Sequence, residues 1–312
     1  MRTVVIGATG HVGTYLVPRL VALGHDVTAI SRGNSEPYVA HQAWKQVHSV
    51  KADSEDPRFA GQVAAFKPDV VIDMICFTVT RARALVSALR GIRQLISCGT
   101  IWVHGHSTVV PTTEDQPRHP FGEYGIQKAA IEAYLLDEHR LAKFPATILH
   151  PGHIVGPGYY PVNPAGHLNP EAFSKLACGE ELTLPNLGLE TLHHVHASDV
   201  AEAFVLALQK PEAAIGESFH VVSPTAITLR GYAEAVAGWY GKPARLKFLP
   251  FEEWKRGELA GDADLTWDHI AHSPHASSDK ARRFLDYVPR YSSLAAVKES
   301  VNWLVTRGKI RT

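Results

Sequence analysis

Apolar positions along the first half of the chain fall into two alternating patterns. Short runs with little polar interruption, at residues 3–7, 27–30, 47–51, 70–73 and 95–98, read as buried strands. Between them the apolar residues take helical spacing. Val12, Leu16, Leu20 and Leu23 define a helix over 11–23, and Gly24 stands where helices commonly end. Further helices are expected near 57–66 and 80–89. Continuous apolar strands alternating with helices predict a parallel sheet covered on both faces. Further along, 122–144 reads as a long helix and 146–150 as a strand. A segment rich in proline and glycine follows over 151–170, then helices at 198–209, 229–240 and 294–307 and a strand at 218–222. The fold class expected is α/β, a doubly wound parallel sheet with a small C-terminal lobe. Residues 1–150 form the main domain, which also receives about 193–222. The lobe takes 151–192 and 223–312.

Composition narrows the function classes. The chain has 312 residues with 31 basic and 31 acidic side chains, so no global field attracts nucleic acid or an anionic membrane. No run approaches the roughly 20 apolar residues needed to span a bilayer. Cys76, Cys98 and Cys178 are few and far apart, which fits a reducing compartment, and the N-terminus lacks a secretory pattern. A cytoplasmic protein is expected. The 18 histidines raise the question of a metal, because His194 and His196 alternate and could share a strand face. No carboxylate or cysteine completes a ligand set, so none is expected.

The first strand leads into Gly7-Ala8-Thr9-Gly10-His11-Val12-Gly13 and then the first helix. Small residues let backbone approach a pyrophosphate, and a helix N-terminus offers unpaired N–H groups and a positive dipole end. Gly7, Thr9, Gly10, His11, Val12 and Gly13 are therefore expected to hold a dinucleotide. The spacing is GxxGxxG rather than GxGxxG, but its place between strand and helix makes it informative. After the second strand stand Ser31 and Arg32 rather than a carboxylate, which favours NADP. An arginine stacked on adenine would leave NAD as the alternative. Asp53 is expected either to accept from the adenine amino group or to cap a turn.

Tyr124 and Lys128 are four apart on the long helix and so share a face. An ammonium beside a tyrosine stabilises phenolate, and such a tyrosine exchanges protons with an alcohol or carbonyl as hydride moves. Upstream lies Ser97-Cys98-Gly99-Thr100, at a strand end 24 residues before Tyr124. Together with the glycine turn, with Pro120-Phe121-Gly122-Glu123-Tyr124-Gly125-Ile126-Gln127-Lys128 and with His196-Ala197-Ser198-Asp199-Val200-Ala201, this resembles the extended short-chain dehydrogenase/reductase, or NAD-dependent epimerase/dehydratase, family. The resemblance implies a Rossmann-type fold with Tyr124 as acid/base, Lys128 lowering its pKa and holding the nicotinamide ribose, and Thr100 bonding the reacting oxygen. It implies that Ile75, Cys76 and Pro151 line the cofactor, and that Ile101, Trp102, His153 and His194 meet substrate. A homodimer is common in such proteins.

The sequence departs from the family where many members bind a sugar nucleotide. His150 and His153 replace an arginine and an asparagine, and Leu192 stands where an arginine binds diphosphate. The expected activity is hydride transfer at a secondary alcohol or ketone of a sugar-like small molecule. A nucleotide-sugar 4-epimerase that keeps its cofactor, and a non-catalytic NAD(P) sensor, are the alternatives.

Overall fold

The computed structural model describes residues 1–257 and 262–312; residues 258–261, inside the segment expected to form the lobe, lie outside that description. In chain order the elements are β1 (Arg2–Ile6), α1 (His11–Ala22), β2 (Asp26–Ser31), β3 (His48–Lys51), α2 (Phe59–Ala65), β4 (Val70–Asp73), α3 (Val79–Ala88), β5 (Gln94–Cys98), α4 (Gly122–Ala142) and β6 (Ala146–Pro151). There follow β7 (His153–Val155), α5 (Glu171–Cys178), β8 (Glu181–Pro185), β9 (Thr191–Leu192), β10 (His194–His196), α6 (Ala197–Gln209), α7 (Pro211–Ala214) and β11 (Ser218–Val221). The chain closes with β12 (Ile227–Thr228), α8 (Leu229–Trp239), β13 (Arg245–Leu249), α9 (Phe251–Trp254), α10 (Ala263–His272), α11 (Asp279–Leu285) and α12 (Ser293–Val305). Short 3-10 turns occupy Gln42–Gln46 and Ile101–His104.

Seven strands pair in the order β11-β6-β5-β4-β1-β2-β3, and every pairing is parallel. The chain winds outward from β1 to β3, then returns to the other side of β1 to build β4, β5 and β6. This is the Rossmann-type doubly wound sheet, and its switch point lies between β1 and β4, where ligands bind in such sheets. Alternation along β1 explains the two covered faces. Val5 joins Leu16, Leu20 and Phe204 beneath α1 and α6, while Val4 and Ile6 join Leu85, Ile131 and Leu135 beneath α3 and α4. A further apolar cluster gathers Phe173, Leu184, Tyr232, Val236 and Val297 from the C-terminal elements, around the small pairings β8–β13 and β9–β12.

Helix ends differ from expectation by a residue or two, each for a local reason. Helix α4 stops at Ala142 because Lys143 turns left-handed, at φ 56°. Helix α3 begins at Val79 because the Thr78 hydroxyl caps the N–H of Arg81 at 3.3 Å. Among the described residues, no helix is long and apolar enough to cross a membrane.

Candidate active site

The cleft forms where β1, β4, β5 and β6 end. At β1 the chain must turn sharply and then pack α1 against the turn. Gly7 has φ +84°, a region that side chains other than glycine rarely adopt. A Cβ on Gly13 would lie 2.0 Å from the carbonyl oxygen of Ala8. Helix α1 starts at Gly10 with no side-chain cap and no acidic residue in its first turn. Its first N–H groups are thus left for a ligand, and a pyrophosphate fits this cradle.

Two cavities meet there. One, of about 470 Å³, is lined by Gly7, Gly10, His11, Val12, Gly13 and Ile75 on one side and by Thr100, Ile101, Trp102, Tyr124, Lys128, Pro151 and His153 on the other. The second, of about 160 Å³, shares Gly7, Gly10 and Ile75 and continues to Thr9, Ser31, Arg32 and Ser35. Most residues expected from sequence therefore lie along one continuous cleft. Three do not line it. Cys76 is buried in the core beneath α3, with its Sγ directed at Thr78 O. Asp53 is exposed and caps a turn, its Oδ1 accepting the N–H of Glu55 at 3.0 Å, while Ala52 and Ser54 line the smaller cavity instead. His194 is fully buried behind His153, and its Nε2 bonds Val162 O at 3.1 Å.

Thr100 follows β5. Its hydroxyl oxygen accepts the N–H of Trp102 at 3.3 Å, which caps the 3-10 turn and leaves the hydroxyl proton to point elsewhere. Lys128 is buried; its Nζ donates to Cys98 O at 2.7 Å and lies 4.9 Å from the Phe77 ring centroid. Tyr124 stands one turn earlier on α4, its ring edge-on to Trp102 at 6.0 Å. The residue is 44% exposed, yet its hydroxyl is enclosed. Burial raises the Tyr124 pKa, Cys98 adds to the rise, and hydrogen bonding to Thr100 opposes it. The Lys128 ammonium is directed at Cys98 O and the Phe77 face, and lies 5.8 Å from the Tyr124 ring centroid.

The opposite wall is aromatic and carries histidines. His272 stacks on Trp102 at 4.1 Å, and His269 lies 5.3 Å from the same ring. His153 has both ring nitrogens buried without a hydrogen-bond partner. Burial holds His269 and His272 down to about 4 and His153 well below its ordinary range, so all three are neutral at pH 7. His193 and His196 are structural, bonded to Ser223 O and to Glu299. Among the described residues, no group of histidine, cysteine and carboxylate side chains is arranged to hold a metal ion. Sequence reasoning missed Tyr159, Tyr160, Leu168 and His269 as lining residues. They come from irregular segments and from α10, whose approach to the cleft depends on tertiary packing.

A sequence profile described as the NAD-dependent epimerase/dehydratase family matches residues 3–221. The chain belongs to that family. It is an enzyme of the family's NAD(P)-dependent oxidoreductase and epimerase type. The chain is 31% identical over 277 residues to a UDP-glucose 4-epimerase of Mycolicibacterium smegmatis, covering 80% of this chain and 86% of that one. It is 27% identical to a 2'-dehydrokanamycin reductase of Streptomyces kanamyceticus, over 86% of this chain and 76% of that one. A solved structure of a UDP-glucose 4-epimerase from Thermotoga maritima, with UDP-glucose, superposes with a TM-score of 0.74 at 19% identity, covering 98% of this chain and 99% of that one. At that identity the likeness concerns the fold.

Proposed function

We propose that this enzyme moves hydride between NADP and a secondary alcohol or ketone of a small sugar-like molecule that carries no nucleoside diphosphate. The observation that carries the reading is the meeting of Thr100, Tyr124 and Lys128 in a cleft continuous with the glycine turn. When bound, the nicotinamide supplies the hydride acceptor or donor. Tyr124 gives its phenol proton to the carbonyl oxygen in reduction and takes it back in oxidation. The Thr100 hydroxyl proton, which the Trp102 contact does not use, orients the same oxygen, and Lys128 holds the ribose beside Tyr124. The C-terminal elements form the lobe that supplies the opposite wall.

The substrate side supports a neutral ligand. Lys128 is the one lysine or arginine among the described residues lining the larger cavity, and its Nζ is already bonded to Cys98 O. A diphosphate calls for cations or dense donors. Leu192, where the family's arginine is expected, is buried in the apolar C-terminal cluster. His153 offers unpaired ring nitrogens to hydroxyl or carbonyl groups. The NADP preference rests on Ser31 and Arg32 in a smaller cavity whose described lining contains no carboxylate. A cytoplasmic setting fits three free cysteines.

The test is turnover. NADPH or NADH consumption, or the reverse, is measured across sugars, aminoglycoside ketones and simple ketones, with UDP-glucose as the comparison. Tyr124→Phe is expected to lower kcat by about 10²–10⁴-fold and leave cofactor affinity within about twofold. Substantial remaining activity in that variant removes the acid/base assignment. Conversion of UDP-glucose to its 4-epimer without net cofactor change supports the epimerase reading instead, which the Mycolicibacterium smegmatis relative favours. No turnover in any assay overturns the hydride-transfer reading.

A further inference from the structure

A chain of buried polar groups runs beneath the reacting end of the cleft. Arg118 grips Glu132 with two bonds, Nη2 to Oε1 at 2.8 Å and Nε to Oε2 at 3.0 Å. The same Oε1 lies 3.0 Å from Nε2 of His150. On its other side, Nδ1 of His150 accepts the backbone N–H of Thr100 at 2.9 Å. Both Glu132 and His150 are buried.

These bonds fix where the imidazole carries its proton. Nδ1 receives an N–H, so the ring hydrogen sits on Nε2 and is donated to Glu132. That arrangement requires an ionised carboxylate. Burial pushes the Glu132 carboxyl up, but His150 and Arg118 together carry it well below the usual carboxylate range. Arg118 is itself anchored by the carbonyls of Glu114 and Gln116, at 2.8 and 2.7 Å. The imidazole is packed over Gly99, where an added Cβ would lie 2.2 Å from Nδ1.

The chain connects two elements that line the same side of the cleft. Glu132 sits four and eight residues after Lys128 and Tyr124 on α4, and so on nearly the same helical face. Thr100 comes from a different element on the same side of the cleft, just past the end of β5. His150, at the end of β6, stands between them. We propose that His150 is a positioning residue, which sets the gap between Thr100 and Tyr124 while Glu132 and Arg118 lock its tautomer. Its effect on rate rests on the hydride-transfer reading given above; its effect on the Thr100 backbone does not.

The two arms can be separated. Asparagine at position 150 places an acceptor near the place of Nδ1, and glutamine reaches only toward the place of Nε2. His150→Asn is expected to keep the bond to Thr100 and at least about a third of kcat. His150→Gln is expected to keep the Glu132 arm, lose the Thr100 arm and lower kcat about 10–100-fold, with KM and cofactor affinity unchanged. Amide hydrogen exchange at Thr100 should quicken in His150→Gln and stay slow in His150→Asn. Equal kcat losses in the two folded variants, or a glutamine variant as active as wild type, would overturn the proposal. If wild type shows no turnover, hydride transfer falls and exchange alone decides: equal Thr100 exchange in both variants sinks the brace. If His150→Gln does not fold, Glu132→Gln takes its place. There kcat should drop severalfold at constant KM, and an unchanged kcat overturns the assignment.

Discussion

Adding one methyl group at Gly13 tests whether the cradle depends on the closeness of α1 to the turn. A Cβ there would stand 2.0 Å from Ala8 O and 2.5 Å from Ala8 C, where ordinary contact begins near 3.4 Å. The helix and turn must part by about 1.4 Å, and the turn cannot yield easily, since the N–H groups of Gly7 and Ala8 both bond Ile30 O, at 3.0 and 3.1 Å. Overpacking of this kind costs about 2 kcal/mol. Unfolding entropy near 2.1 cal/mol/K per residue gives about 0.65 kcal/mol/K for this chain, so Gly13→Ala should melt about 3 °C lower. NADP at 100 times its Kd stabilises wild type by about 2.7 kcal/mol, or about 4 °C. A tenfold loss of affinity in the variant reduces that shift to about 2 °C at the same concentration. Thermal melting with and without cofactor reads both effects. Gly61→Ala is the control, because a Cβ there meets nothing within 4 Å. A Gly13→Ala protein that melts with wild type and shows the same cofactor shift would refute the reasoning.

The remaining predictions concern charge. Because the Tyr124 hydroxyl is raised, it is a phenol at neutral pH; oxidation needs the phenolate, so its kcat/KM should climb about tenfold per pH unit above pH about 7, while reduction stays flat. A flat oxidation profile counts against Tyr124 as the base. Arg32→Ala should erase a preference for NADPH over NADH, a loss of about tenfold in NADPH affinity by titration; equal affinities in wild type remove the NADP assignment. Arg118→Ala leaves Glu132 buried with one partner and should cost about 2–3 kcal/mol at pH 7, seen as a lower Tm. Glu132 has a depressed folded pKa, so its stabilisation is present above about pH 4 and is lost as pH falls further; the two melting curves should converge in acid. Persistent separation at low pH would mean that the ion pair is not the cause.

The inner strands of the large sheet were legible because they are buried on both faces and read as apolar runs, as in the Val-Val-Ile of β4, whereas the edge strand β3, expected to be buried, is mostly exposed. The glycine turn and the Tyr124–Lys128 pair were legible because their spacing is set by local geometry. The pairings β7–β10 and β8–β13 were not, since the first joins strands of only three residues and β13 is only partly buried, so neither leaves an apolar run to read. The surroundings of Tyr124 were only partly legible for a related reason. Helical spacing puts Lys128 on the same face, but it does not reveal that Cys98 O, arriving from β5, takes the ammonium. The link from Glu132 to His150 joins α4 to β6 and has no short-range signature, so its meaning emerges only from the packed structure.

Tyr124, Lys128 and Glu132 form a single stripe along α4, about 12 Å long at the helical rise. Turning the helix about its axis would carry the proposed proton donor, ribose holder and brace away from the cleft together, whereas a small slide along the axis keeps their mutual order. One inserted residue between Tyr124 and Glu132 would set them about 100° further out of phase. The reaction is in this sense indexed to the angular setting of one helix, and substitutions on its far face are free to drift so long as that setting holds.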